Sequence, residues 1–298
     1  MGRVLMVLGV LVLNLCSGFA LAENQLLTSC ADNLKNYFRF TPEQIQWIES
    51  SQFHAEGQKE VLDLIEEEVK TQVAAGVTPY VAFDLDETGL DNRHAMYGAI
   101  HGENGWLKTE AAAKYPEVKA VLEALDFSHT GESATETFFH AKLPTDTEAY
   151  KEFNAFWKLK FFSNEFIGNY AHAFAGFVEY ITKLHSLGAH VVYLTARNEP
   201  NQGDGTRKAL RTLNLLMDER TTLIMKQDKG STVDYKTTAL GGLIEKGHVV
   251  GMFDNDAEVI VALEAKYQQV KFVFVQTHFE KIPGSPAQNL YRINGWNR

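Results

Sequence analysis

The chain has 298 residues, 45% of them hydrophobic and 22% charged, which suits one large domain, or a core carrying a sizeable insertion, and excludes a disordered or low-complexity protein. Its formal net charge of −10 excludes duplex nucleic acid as a partner, because that needs a basic face. A small anionic substrate stays open, since a metal ion and a few local cations can dominate one pocket.

Residues 1–22 read as a secretory leader. Arg3 precedes an apolar stretch from Val4 to Leu15, and Ala20-Leu21-Ala22 offers small residues for cleavage ahead of Glu23. The apolar run is well short of the roughly 20 residues that a membrane span needs. Cleavage after Ala22 removes Cys16 and leaves Cys30 without an internal disulfide partner. The expectation is a secreted or periplasmic protein with no stable membrane span, and nothing in the chain specifies an oligomer.

Residues 23–77 read as mainly helical. Thr41-Pro42-Glu43-Gln44 is a helix start, and Gln58 to Val73 is an amphipathic helix with Val61, Leu62, Leu64, Ile65 and Val69 on one side. Pro79-Tyr80-Val81-Ala82-Phe83 then predicts a buried strand ending in acids. Residues 92–165 hold no strand pattern and predict a mainly helical insertion. Its Trp106, Phe153, Trp157, Phe161 and Phe162 suit a core better than a ligand site.

Alternation resumes afterwards. Helices are predicted over Phe174 to Leu187, Thr206 to Leu216, Lys236 to Lys246 and Ala257 to Tyr267. Strands are predicted over His190 to Leu194, Thr222 to Met225, Val249 to Phe253 and Val270 to Val275. The pattern implies an α/β fold, a doubly wound parallel sheet with residues 78–91 and 166–298 as its core. Ligands bind such sheets at the carboxyl ends of the strands.

Chemistry-bearing residues collect there. Asp84 and Asp86 follow the first strand, and Thr195 and Arg197 the second. Lys226 and Asp228 follow the third, with Lys236 at the next helix start, and Asp254, Asn255 and Asp256 follow the fourth. Asp84 and Asp86 alone could be helix caps, as could Thr195, and Lys229 reads as a solvated loop residue. Together the set suits phosphoryl transfer. A carboxylate can accept the phosphoryl group, and a second carboxylate two residues on can move the proton. Acids from separate strands can hold Mg²⁺, and a hydroxyl and an ammonium can bind the phosphate oxygens. His172, His185, His190, His248 and His278 share no zinc-ligand spacing, and no G-x-S-x-G segment supports a hydrolase triad.

The segment Asp84-Leu85-Asp86-Glu87-Thr88 after a hydrophobic strand resembles the D-x-D-x-T signature of the haloacid dehalogenase (HAD) superfamily. Asp84 to Asn92 and Tyr193-Leu194-Thr195-Ala196-Arg197-Asn198 are similar to the first two motifs of the class C (exported bacterial) acid phosphatases, and Met225 to Lys229 is similar to their third. The resemblance implies a HAD-like Rossmannoid core with the helical insertion as a cap, and a Mg²⁺-dependent phosphomonoesterase working through an aspartyl-phosphate. It makes Asp84 the nucleophile and Asp86 the general acid and base. Thr195 would bind phosphate, and either Lys226 or Lys236 would steady the nucleophile. Asp254 would bind Mg²⁺ with Asp84 and the carbonyl of Asp86, with Asp256 or Glu258 in second place. Thr88, Arg197 and His94 are the candidate substrate contacts, toward a small phosphate ester. The rival readings are a HAD-like binding, storage or host-interaction protein with little catalysis, and a phosphotransferase to an acceptor other than water. Export predicts a mature chain beginning at Glu23, to be read from the intact mass of protein recovered outside the cytoplasm; an uncleaved mass would overturn it.

Overall fold

The computed structural model describes residues 58–125, 132–215, 218–227, 230–275, 290–293 and 295–296. The expected leader, Cys30, the helix start at Thr41, Asp228, Lys229 and His278 lie outside the described residues.

Six parallel strands form one sheet: β1 (Pro79–Phe83), β2 (His190–Asn198), β3 (Thr221–Lys226), β4 (His248–Asp254), β5 (Lys271–Val275) and β6 (Leu290–Ile293), ordered β3-β2-β1-β4-β5-β6. β1 is central because both its faces are apolar, and the period-2 alternation of strands sorts its neighbours. Val81, Phe83, Val191, Tyr193, Val273 and Val275 point to one face, where they meet α1 (Gln58–Ala74) and α8 (Phe177–Ser186). Ala82, Val192, Leu194, Phe272 and Phe274 point to the other, against α10 (Thr232–Ile244) and α11 (Ala257–Lys266). The sheet is therefore doubly wound, as expected. Between β1 and β4 the chain changes direction across the sheet, and that is where such folds open a crevice.

β4 would fall out of phase with β1 but for an irregularity. The register shifts between Tyr80 and Val81, so that Phe83 pairs with Phe253 and their rings stack at 4.8 Å. One irregularity thus keeps Val250 and Phe253 on the same face.

The described residues between β1 and β2 contain the helices α2 (Arg93–His101), α3 (Glu110–Lys114), α4 (Pro116–Glu123), α5 (Glu132–Lys142), α6 (Glu148–Phe161) and α7 (Asn164–Asn169), and no named strand. These helices bury a core of their own. Trp106, Phe153, Trp157 and Phe161 lie inside it, with edge contacts such as Trp106 to Phe153 at 5.3 Å, so the core reading of these aromatics holds; Phe162 is left exposed. Helical packing runs past the expected limit at 165, because Phe166 on α7 belongs to the same cluster. The chain leaves and returns by two segments that touch, with Leu90 bridging Ala173 and the Asp91 amide donating to the His172 carbonyl at 2.8 Å.

Three local expectations are corrected. The helix expected from Thr206 starts earlier, as α9 (Glu199–Thr212), with Pro200 in its first turn where a missing N–H costs nothing. Gly203 and Gly205 hid that start, since glycine disfavours helix, but they admit close packing. The helix expected from Lys236 begins at Thr232, capped by Ser231. β6 was not foreseen, because its Leu-Tyr-Arg-Ile is too short to signal a strand without its neighbour β5.

A Cβ on Gly205 would lie 2.5 Å from the Asn164 carbonyl oxygen and 2.7 Å from its Cα, atoms of a backbone held in α7. Gly205→Ala would gain about 1 kcal/mol of helix propensity. Overpacking against backbone costs about 1–3 kcal/mol, so the balance is a loss. A melt of Gly205→Ala should fall by a few degrees; an unchanged or raised Tm would mean that α7 and α9 can separate without cost.

Candidate active site

The turn after β1 is built by its own backbone. Thr88, Gly89 and Leu90 amides all donate to the Leu85 carbonyl, Glu87 adopts φ 55°, and Phe177 covers Gly89 so closely that a Cβ there would meet its ring at 2.4 Å. This hairpin-like reversal leaves Asp84 and Asp86 at the strand end while the chain departs for α2.

Asp84 and Asp254 are brought together by the β1–β4 pairing, in which the Asp84 amide donates to the Phe253 carbonyl at 2.8 Å. From the opposite face α10 sends Lys236 between them. Its Nζ donates to Asp84 Oδ1 and Asp254 Oδ2, both at 2.7 Å, and all three side chains are buried. The other Asp254 oxygen accepts from the Asp256 amide at 2.9 Å, whereas Asp84 Oδ2 accepts no hydrogen bond among the described residues.

Two carboxylates and one ammonium in a dry place leave one negative charge uncompensated. Burial pushes the Asp84 carboxyl well above the usual carboxylate range; Lys236 opposes the shift, and Asp254 and Asp86 add to it. Asp254 is raised likewise by burial, against Lys236. For Lys236 burial works the other way, but its two carboxylates outweigh it and hold the ammonium firmly charged. A site of oxygen donors short of positive charge fits Mg²⁺, which needs only one or two carboxylates besides water and substrate oxygens. Among the described residues no cluster of three metal-ligating side chains occurs.

Asp86 is held from another direction. Arg197 Nε lies 3.1 and 3.0 Å from its two oxygens, Arg197 Nη2 donates to Oδ1 at 2.7 Å, and Asn92 Nδ2 to Oδ1 at 3.0 Å. Burial raises the Asp86 carboxyl, but Arg197 and Asn92 outweigh it and set it below the usual range. Arg197 reaches Asp86 because β2 carries Ala196 and Arg197 as extra residues opposite the step from Met225 to Lys226. Thr195 is buried and accepts from the Arg197 amide at 3.2 Å.

Other candidates take different places. Lys226 Nζ donates to the Gly230 carbonyl, so of the two rival lysines only Lys236 touches Asp84. Asp256 is exposed and caps α11, accepting from the Glu258 and Val259 amides, and Glu258 is exposed beside it; neither contacts Asp84 or Lys236 among the described residues. Thr88, expected at the substrate, is completely buried; its hydroxyl is taken up by Asn255 and its carbonyl by Trp296 Nε1. It ties the motif turn to the end of β4 because the turn folds its side chain inward. His94 is buried and stacked on His172 at 4.1 Å, and burial, with His172, pushes its imidazole down to about 4, so it is neutral.

Thr206 and Trp296 were not foreseen as contributors, and Asn92 and Asn255, though named, had no role assigned. Asn92 and Asn255 stood inside the quoted motifs and could have been found as amides among acids; nothing local marks Thr206 or Trp296.

A parallel sheet with acids at the ends of adjacent central strands and a lysine between them makes an α/β Rossmannoid core whose strand ends suit phosphoryl transfer. Residues 137–262, under half of the chain, match the family model described as HAD superfamily, subfamily IIIB (Acid phosphatase), a segment that contains Thr195, Lys236 and Asp254. No curated protein matches the chain in sequence. Similar solved structures include a candidate phosphatase from Clostridium difficile (14% identity, TM-score 0.46, 69% of this chain and 88% of that chain). A haloacid dehalogenase-like hydrolase from Streptococcus pneumoniae gives 13%, 0.42, 70% and 88%. A HAD-superfamily hydrolase, subfamily IA, from Geobacter sulfurreducens gives 12%, 0.42, 74% and 93%. No helix of the described residues is long and apolar enough to cross a membrane.

Lys236→Met would leave two carboxylates facing each other without their shared cation. Breaking a buried pair in this way costs about 3–5 kcal/mol. A denaturant titration should show that loss for Lys236→Met and little change for Lys226→Met; equal losses would mean that Lys236 is not the central cation.

Proposed function

We propose that this chain is an exported, Mg²⁺-dependent phosphomonoesterase that works through a covalent phosphate on Asp84. The observation that carries the reading is the ammonium of Lys236 shared by Asp84 and Asp254, which fixes one Asp84 oxygen and leaves the other for attack. Asp84 Oδ2 bonds to phosphorus as the bond to the ester oxygen breaks, and Asp86 gives that oxygen a proton, so the alcohol leaves. Arrival of a phosphate dianion favours the protonated Asp86 that this step needs, since a like charge disfavours the carboxylate. Asp86, now ionised, takes a proton from water; the water oxygen attacks phosphorus, and inorganic phosphate departs with Asp84 restored. Thr195 and Lys236 hold phosphate oxygens during both steps. Mg²⁺, held by Asp84, Asp254 and the Asp86 carbonyl, would supply the positive charge that neutralises phosphate and the two buried acids. Export rests on residues 1–22, and the helical segment between β1 and β2 would act as a cap that excludes water and selects the ester.

Asp84→Asn should lower turnover of an aryl phosphate by at least about a thousandfold while leaving the melt intact. Chelator should abolish wild-type turnover and added Mg²⁺ restore it. Asp86→Asn should accumulate a phosphorylated protein visible by intact mass, because its second step lacks a base. Wild-type turnover in Asp84→Asn would overturn the nucleophile, and a wild-type protein with no turnover would mean that the fold serves binding or storage.

A further inference from the structure

Arg197 follows Thr195 at a strand end, a place where a guanidinium is expected to grip the substrate phosphate. Its contacts point elsewhere. The side chain is buried; Nε and Nη2 are spent on Asp86, and Nη1 donates to Thr206 Oγ1 on α9 at 3.2 Å. Its backbone amide is engaged by Thr195. Asp86, by contrast, has a side chain 33% exposed. The only other side chain bonded to its carboxylate among the described residues is Asn92, which opens α2 without capping it.

We propose that Arg197 is the positioning residue of Asp86, which it clamps through a planar fork anchored on Thr206, and that Asn92 completes the clamp from the start of the helical segment. The inference rests on the reading of Asp86 as general acid and base. A carboxylate that delivers a proton must meet the ester oxygen within hydrogen-bond reach, and a small misplacement far from the reacting atoms is enough to cost much of that advantage. The fork suits this task where a lysine would not, because guanidinium geometry matches both carboxylate oxygens at once. The clamp also joins three elements: the bulged end of β2, α9 through Thr206, and the outgoing segment through Asn92. The relative placement of those elements therefore sets where the proton is delivered.

The test uses the full chain with Mg²⁺ and two substrates, 4-nitrophenyl phosphate and an alkyl phosphate. A nitrophenolate leaves without help, whereas an alkoxide needs its proton. Because Asp86 also serves the second step, which both esters share, the readout is the single-turnover rate of alcohol release. Arg197→Lys should lower that rate for the alkyl ester by about a hundredfold, within the range of general acid catalysis, and for the nitrophenyl ester by several-fold less, with KM for both close to wild type. Asn92→Ala should show the same selectivity at smaller amplitude, and it carries the test by itself if the Arg197 variant fails to fold. A rise in KM for both substrates with kcat retained would overturn the proposal and make Arg197 a phosphate grip. Asp86→Asn serves as the reference. If its alcohol-release step is selective for the alkyl ester while those of Arg197→Lys and Asn92→Ala are not, positioning alone fails; if Asp86→Asn slows that release step equally for both esters, the acid role of Asp86 fails with it.

Discussion

The ammonium of Lys236 between Asp84 and Asp254 is the contact on which the rest of this molecule turns. Three charges from β1, β4 and α10 are taken out of water together, and each alone would be prohibitive to bury. They are tolerable only at short range and in one geometry. That requirement reaches back into the sheet: β1 and β4 must be neighbours, their ends must be level, and α10 must cross the opposite face with Lys236 on its second turn. The irregularity between Tyr80 and Val81 and the stacked Phe83–Phe253 pair are the means by which the ends are levelled.

Apolar packing does the holding. Phe83, Phe177, Tyr180, Phe253 and Trp296 form a continuous aromatic group under the strand ends, with ring centroids 4.8–6.4 Å apart. Trp296 also donates to the Thr88 carbonyl, so the motif turn is fastened from below. The strand end that carries Asp84 is thus attached to a densely buried aromatic group, and rigid placement of this kind is what phosphoryl transfer asks of a protein.

The helical segment between β1 and β2 is tied to this centre at two levels. Its outgoing and returning arms meet at Leu90 and Ala173, and the buried Asp91–Arg93 pair lies on the outgoing arm, with the Asp91 carboxyl held low, at about 2, where hydrogen bonds and charge from Arg93 outweigh burial. Farther out, α7 rests on α9 through Gly205. Asn92 and Thr206, one from each side of that junction, end on the Asp86–Arg197 pair. The helical segment and the Asp86–Arg197 pair are therefore joined by covalent neighbours as well as by packing.

The sequence by itself determined the sheet, the helical segment inserted after the first strand, and the acids at the strand ends, because these follow from short-range facts: alternating apolar residues, residues that end strands, and carboxylates immediately after them. It also narrowed the central lysine to Lys226 or Lys236. Choosing between them took the tertiary structure, since Lys236 reaches Asp84 by crossing the sheet from a helix whose start at Ser231 is fixed by a cap and not by periodicity. The same holds for Arg197, Thr88 and Asp256. Each has a residue type that suits binding a phosphate or a metal, but its partner is decided by a bulge, a turn or a helix end. β6 and the early start of α9 belong here too, for a four-residue strand exists through its neighbour, and a helix rich in glycine through the backbone packed against it. Residue chemistry is local, whereas direction and pairing are settled only when distant segments compete for the same buried space.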